Sequence, residues 1–395
     1  MVELTLTALQ QDLQQVTRSF ATGEIGPAVA AADRSGGHLE PEEYLRLFRS
    51  AAAIGLPAML IPERYGGTGL TTFDNAVVQE ELGAVDVGLA GSLNLTMTLP
   101  AMIVAGGSHQ QCEAWLSELV SSDELVLAGA LNEPSVAGSE LFCPIPDPDL
   151  GIRTTATYDG SEWLIDGAKA GWVTNAGVAQ RYLVFARTSF AEPAIASTTA
   201  FYLEADRLGL TTGPRSALLG MRSGFHAEVL LDGVRVPDDR RLGDEGGGLR
   251  LMGESSAGMA VGLAAGFVGL ARTALADLLD HADTRRSWGR PLRSHQAVAL
   301  QIADAAVDLQ TARLLVWDAA LAVDHGDPAA SWKVPAAKTH AVDVAIANAE
   351  RSVRIHGATG VSSGAGPEKL LRDAWTGYAC DFTKEMLRLS IAEVL

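Results

Sequence analysis

The chain has 395 residues, 47% hydrophobic and 20% charged, which is enough apolar side chain to bury a core and too little charge for a disordered polymer. With 30 Lys and Arg against 48 Asp and Glu, the net charge is −18, so no general field draws the protein to nucleic acid or anionic lipid. Three widely separated cysteines, Cys112, Cys143 and Cys380, fit neither a disulfide framework nor a C-x-x-C metal site and read as reduced thiols.

In chain order, Glu3 and Asp12 stand where a secretory signal would be basic and apolar, and the expectation is a cytoplasmic protein. Residues 1–124 carry apolar positions at helical spacing, such as Leu45, Leu47, Phe48, Ala51 and Ala52, and form the first expected domain. The uncharged run from Val87 to Cys112 is broken by Asn94, Pro100, Gly106 and Gly107 and is not a membrane span. Over 125–238 the pattern changes to short β-rich runs at Leu125–Leu131, Ile152–Tyr158, Glu162–Ile165, Tyr182–Phe185, Ala200–Leu203 and Val229–Leu231. Asp159-Gly160 and Asp166-Gly167 are read as turns between them, which predicts a compact β-barrel or sandwich. Past the glycine-rich Gly243–Gly248, residues 239–395 hold long helical stretches over about 248–284, 294–325 and 330–356, the pattern of an up-and-down bundle. The apolar stretch Ala257–Ala271 falls short of the ~20 residues that cross a bilayer and reads as a buried helix.

Several common site motifs are missing. No G-x-G-x-x-G separates a strand from a helix, so there is no Rossmann cofactor signal. The eight histidines show no zinc-ligand spacing and no metal is expected, and a serine hydrolase has little support.

A set of ordered segments carries the sharper signal. Asn132-Glu133-Pro134 leads to Ala137-Gly138-Ser139; Gly167-Ala168-Lys169 leads to Trp172-Val173-Thr174-Asn175; Leu219-Gly220-Met221-Arg222-Ser223 follows. Then come Arg285-Arg286-Ser287-Trp288-Gly289-Arg290-Pro291-Leu292 with His295-Gln296, and His356-Gly357 to Lys369-Leu370-Leu371-Arg372-Asp373-Ala374. In this order and spacing the chain resembles the acyl-CoA dehydrogenase family over essentially its whole length. The resemblance implies an α+β multidomain fold: an N-terminal α-helical domain, a central β-barrel domain and a C-terminal four-helix bundle.

It also implies FAD as cofactor and an acyl thioester, on CoA or an acyl carrier protein, desaturated between Cα and Cβ. Leu131, Asn132, Gly138, Ser139, Trp172, Val173 and Thr174 match the segments that pack on the flavin. Arg285 matches the pyrophosphate-binding arginine, a charge suited to a dianion, with Ser287, Trp288, Gln296, Arg354, Gly357, Ala358 and Thr383 also on the cofactor side. In the family the C-terminal elements reach FAD held by a neighbouring subunit, which implies a homotetramer or homodimer. Ser139, Arg222, Met259 and Phe382 border the expected substrate channel, and the electron acceptor is an electron-transfer flavoprotein or oxygen.

An α-proton of a thioester is weakly acidic, so the family removes it with a carboxylate. The usual Glu lies nine residues after the Arg of the R-D-A motif; the same count from Arg372 reaches Asp381. The family's other base position, on the first long helix, aligns with Met259, beside Ala260, and neither is charged. Glu254 reads as a solvated or capping residue. Phe382 stands for the usual Gly, Asn132 for Thr, Arg354 for Gln and Ala358 for Gly, so the pocket is reshaped. The expected function is an FAD-dependent acyl-thioester dehydrogenase with Asp381 as base. A flavin-dependent oxidase of the nitroalkane-oxidase kind, or a monooxygenase, is the alternative on the same fold; a non-catalytic binding homologue is the second.

Overall fold

The computed structural model describes residues 5–147, 149–364 and 366–395. Helices open the chain: α1 (Ala8–Phe20), α2 (Gly26–Arg34), α3 (Pro41–Ala53), α4 (Thr72–Val85), α5 (Val87–Thr98), α6 (Pro100–Gly106) and α7 (His109–Ser121). Their starts follow a local rule. Thr7, Thr71 and Ser108 each accept the main-chain N–H three residues on, while Gln10, Asp74 and Gln111 reach back to the cap, satisfying donors the first turn leaves free.

The middle of the chain forms β1 (Leu127–Ala130), β2 (Thr155–Tyr158), β3 (Glu162–Thr174), β4 (Arg181–Arg187), a short helix α8 (Ala194–Ser197), β5 (Thr198–Glu204), β6 (Leu210–Arg215), β7 (His226–Pro237) and β8 (Arg241–Leu242). In hydrogen-bond terms the expected barrel is an open eight-stranded sheet, ordered β6-β7-β3-β2-β4-β5-β8, with β1 added parallel to β4. Asp159-Gly160 is a turn, as its sequence indicates: Asp159 accepts from the N–H groups of Ser161 and Glu162. Asp166-Gly167 is not a turn. It is a bulge inside β3, where the register against β7 shifts between Ile165 and Gly167. Gly167 has φ +151, and a Cβ there would lie 2.6 Å from Thr154 Oγ1, so glycine serves close packing within a continuous strand rather than a reversal.

The C-terminal part comprises α9 (Gly248–Ser255), α10 (Ala257–Thr284), a small hairpin β9 (Arg286–Ser287) and β10 (Arg290–Pro291), α11 (Gln296–Asp324), α12 (Ala330–His356), α13 (Gly366–Thr376) and α14 (Lys384–Val394). The single stretch expected over 248–284 is two helices, separated at Ser256 (φ −87, ψ −6), where adjacent serines disfavour helical continuation. Helix α10 is longer than its apolar stretch. By length and composition it and Val87–Gly106 could each cross a bilayer, but both lie largely buried in the core. The Ala and Gly content of α10 has a packing cause: a Cβ on Gly269 would meet Glu80 O at 2.1 Å, and one on Gly83 would meet Gly266 O at 2.2 Å. Small residues let α10 and α4 approach to backbone contact.

A buried charge network locks these helices. Glu80 and Glu81 of α4 are bridged by Arg272 of α10; Arg313 of α11 bonds Glu80, and Arg18 of α1 bonds Glu81. Burial works against the Glu81 carboxylate, but Arg272 and Arg18 hold it down to about 2. Replacing Arg272 with Met should lower stability by about 3 kcal/mol, at the low end for a broken buried pair because Arg18 and Arg313 remain. A urea midpoint shift at constant slope checks this.

Candidate active site

The segment Leu131–Ser139 leaves β1 and is held from below by an ion pair. Glu133 is buried and accepts from Lys169 Nζ at 2.6 Å, Arg153 N at 2.7 Å and Thr154 N at 3.0 Å. Burial opposes its charge, but Lys169 and these donors hold its carboxyl below the usual range. Lys169 Nζ also reaches Leu131 O at 3.3 Å, and Ala170 N donates to Asn132 O at 2.8 Å. The Asn-Glu-Pro and Gly-Ala-Lys motifs are therefore two halves of one clamp that lays Leu131–Ser139 beside the end of β3.

That strand end presents Trp172, 53% exposed, next to buried Val173 and half-buried Thr174. It terminates at Asn175, which is buried and left-handed (φ 68). Asn175 accepts from Tyr44 Oη at 2.6 Å and donates to Leu127 O at 2.7 Å and Ser92 O at 3.2 Å. The N-terminal helices thus fix where the Trp172–Thr174 face points. Leu131, Asn132 and Gly138 are half-buried and Ser139 is exposed, so hydroxyl, amide and indole groups line one open surface.

Asp381 comes to this surface on the loop between α13 and α14. Asp381 (φ 44) and Phe382 (φ 74) are consecutive left-handed residues, a conformation that non-glycine residues adopt at a cost. The Phe382 ring lies 3.3 Å from where a Gly138 Cβ would stand and tilts against Phe142, ring centres 5.7 Å apart. Thr383 caps α14, accepting from Met386 N at 3.4 Å. Asp381 is exposed, yet the protein packed around its loop works against the charged carboxylate and raises its pKa above the usual aspartate value, against the opposing charge of Lys338. A carboxylate whose charged form is disfavoured, set beside an open apolar and polar face, can accept a proton from carbon.

A second cluster forms on α10, α11 and α12. Arg285, Trp288, Gln296, Arg354, Gly357 and Ala358 are exposed, Trp288 at 94%. Trp288 (φ 52) and Gly289 (φ 76) form the two-residue turn of the β9–β10 hairpin. Ser287 O and His295 Nε2 are 3.1 Å apart, and Arg354 pairs with Glu350 at 3.0 Å. The hairpin and the Arg354–Ala358 turn meet through His281 and His356, whose ring centres are 3.8 Å apart, with Arg285 N donating to His281 O. Among the described residues Arg285 has no carboxylate within ion-pair distance, and no hydrogen bond joins this cluster to Leu131–Thr174 of the same chain.

Other expected site residues lie at domain junctions. Arg222 donates from Nε to Leu218 O at 3.2 Å, and its stem packs on Gly37 (φ 107). It faces the turn after α2, not the Asp381 loop. The main-chain oxygen of Met259 accepts from Asn94 Nδ2 at 2.9 Å. Glu254 is exposed on α9. Met221 N donates to Asp373 at 2.6 Å, and Lys369 bridges Asp373 and Asp86. The Leu219–Ser223 and Lys369–Ala374 motifs therefore join three parts of the chain.

Lys338 is the site residue that sequence reading missed. Its signal is a lone lysine on the apolar stripe of Val334, Ala337, Ala341 and Ala345. It is 3% exposed and donates to Gly377 O at 3.5 Å and Phe382 O at 3.0 Å, and also to Cys380 O.

Comparison with known proteins agrees with this arrangement. Family descriptions of the acyl-CoA dehydrogenase N-terminal, middle and C-terminal domains match residues 7–123, 148–234 and 246–395. The human mitochondrial short-chain specific acyl-CoA dehydrogenase is 33% identical over 99% of this chain and 90% of its own length. A probable acyl-CoA dehydrogenase, YngJ, of Bacillus subtilis (strain 168) is 32% identical over 99% of this chain and 98% of its own. Among solved structures, butyryl-CoA dehydrogenase from Megasphaera elsdenii superposes with a TM-score of 0.91 at 28% identity, covering 100% of this chain and 99% of that one. From helical caps to the paired loops, the chain belongs to the acyl-CoA dehydrogenase family and is an FAD-dependent oxidoreductase acting on a CH–CH group.

Proposed function

We propose that the protein desaturates an acyl thioester, with the Asp381 carboxylate as the base that takes the α-proton. The observation that carries this reading is the seating of Asp381. It is exposed on a left-handed bend, and its neighbour Phe382 packs on Gly138 of the segment expected to face the flavin.

The residues present fit FAD. The half-exposed Trp172 indole beside buried Val173 is an uncovered aromatic face, and Arg285 offers a guanidinium without an acidic partner among the described residues, suited to a pyrophosphate. Leu131, Asn132, Gly138, Ser139, Trp172, Val173, Thr174 and Thr383 would hold the flavin end. Arg285, Ser287, Trp288, Gln296, Arg354, Gly357 and Ala358 would hold the remainder. When bound, FAD supplies the acceptor for the hydride that leaves Cβ. Because no hydrogen bond among the described residues joins the two sets within one chain, the reading takes the second set from another copy, with a homodimer or homotetramer as the working unit. Phe382, Ser139 and Met259 shape the acyl channel; Phe382 and Phe142 narrow it, which favours a compact or substituted acyl group on CoA or a carrier protein.

Arg285→Ala should weaken FAD binding by about 1.5–3 kcal/mol, the range for a hydrogen bond to a charged group, read as flavin retained after gel filtration. Anaerobic titration of the FAD-loaded protein with acyl-CoA and acyl-carrier thioesters, including butyryl-CoA, tests the function directly. Bleaching of the oxidised-flavin absorbance by one class supports dehydrogenation. Bound flavin that no thioester bleaches would replace it with oxidase or monooxygenase chemistry, in which an electron-transfer flavoprotein is not the acceptor.

A further inference from the structure

Lys338 stands out as a buried cation that no established step uses. It lies on α12 between Ala337 and Thr339, and its hydrogen-bond acceptors are all main-chain carbonyls, of Gly377, Cys380 and Phe382. Those three carbonyls bracket the two left-handed residues, Asp381 and Phe382. The loop enters this bend at Gly377, where a Cβ would lie 2.3 Å from the Phe267 ring, and leaves it at the Thr383 cap. Between those points Lys338, among the described residues, gathers the loop's carbonyls to a single atom.

Its charge matters as well as its donors. Carbonyl acceptors and a nearby carboxylate both favour an ammonium over a neutral amine, against the burial that depresses its pKa. The same charge favours the ionised form of Asp381, against the desolvation that disfavours it. Other groups around the loop are neutral or already paired. Cys380 on the loop itself is a thiol pushed up to about 12 by burial; Met221 and Phe142 from the middle domain and Phe267 from α10 are uncharged. Lys384 pairs with Asp343 of α12, and Tyr378 donates to Glu385 of α14.

We propose that Lys338 is the positioning residue of the catalytic aspartate, its ammonium holding the Gly377–Phe382 carbonyls so that Asp381 projects into the site beside a compensating charge. This deepens the reading of Asp381 as base and rests on it. The ammonium favours the ionised carboxylate, the form that accepts a proton.

The test follows Asp381 protonation itself, by infrared difference titration of the carboxyl band in the FAD-loaded protein, with D381N as the reference that identifies the band. In K338M and K338Q the midpoint should move to higher pH by about one pH unit or more. Flavin content should stay unchanged, and flavin reduction at neutral pH should fall about tenfold or more from misplacement of the base. K333M, a neighbouring lysine on α12 paired with Asp318, should leave the midpoint where it is. A folded, FAD-loaded K338Q or K338M with an unmoved midpoint overturns the proposal. So does failure of both variants to fold, which would make Lys338 a core residue only. Full activity of D381N would instead remove the reading of Asp381 as base, a result independent of where the band titrates.

Discussion

Asp381→Asn should lower the rate of flavin reduction by about 10²–10⁴-fold, the usual worth of a positioned general base, while the protein keeps its FAD and its folded stability. The amide has nearly the carboxylate's shape but cannot take a proton from carbon. The fold should tolerate it because the loop is held by main-chain carbonyls on Lys338 and by the Thr383 cap, none of which involves the Asp381 side chain. The pH profile supplies a second readout. The base works ionised, and desolvation raises its pKa above the ordinary 3.8, so activity should climb as pH rises through that displaced value. Rapid anaerobic mixing with the thioester that bleaches the parent enzyme measures both, and undiminished bleaching by D381N would assign the base elsewhere.

Lys169→Met should cost about 3–5 kcal/mol of stability, the penalty for leaving a buried charge without its partner. Glu133, 3% exposed, would keep the Arg153 and Thr154 N–H groups but lose its only cation among the described residues. The effect should extend to function, since Lys169 Nζ also ties Leu131 O. Freed from it, Leu131–Ser139 would no longer lie along the end of β3, and flavin content should fall with stability. Adding Glu133→Gln should recover part of the loss, because the unpaired charge goes with it. Urea unfolding of the single and double variants with flavin stoichiometry measures this; a single variant as stable as the parent would show that backbone packing alone holds the segment.

Much of the architecture was legible because its causes are local. Capping boxes at Thr7, Thr71 and Ser108 mark helix starts, and the Asp159-Gly160 turn follows from side-chain bonds within four residues. Where local reading failed, a distant contact decided. Asp166-Gly167 has the composition of a turn, but Thr154 packs against Gly167 and Asp166 accepts from Gly233 N of β7, so the pair sits in a strand.

The candidate site divides in the same way. The residue types and their spacing alone carried the resemblance to the family, and with it the carboxylate at Asp381, the arginine at Arg285 and the aromatic at Trp172. Sequence order could not tell a residue facing the reaction from one holding such a residue in place. Glu133, Lys169, Asn175 and Asp373, which are buried, and half-buried Lys369 belong to the same motifs, yet they sit in clamps and junctions. Lys338 belongs to none of the recognised motifs and still touches the Asp381 loop from 44 residues away in sequence. Hydrophobic periodicity and local hydrogen bonding act within a few residues, so the sequence by itself determined the elements and the chemical types available. Buried ion pairs and carbonyl clamps need partners brought from far along the chain, and only the tertiary structure decided which of those groups lie exposed and which hold them in place.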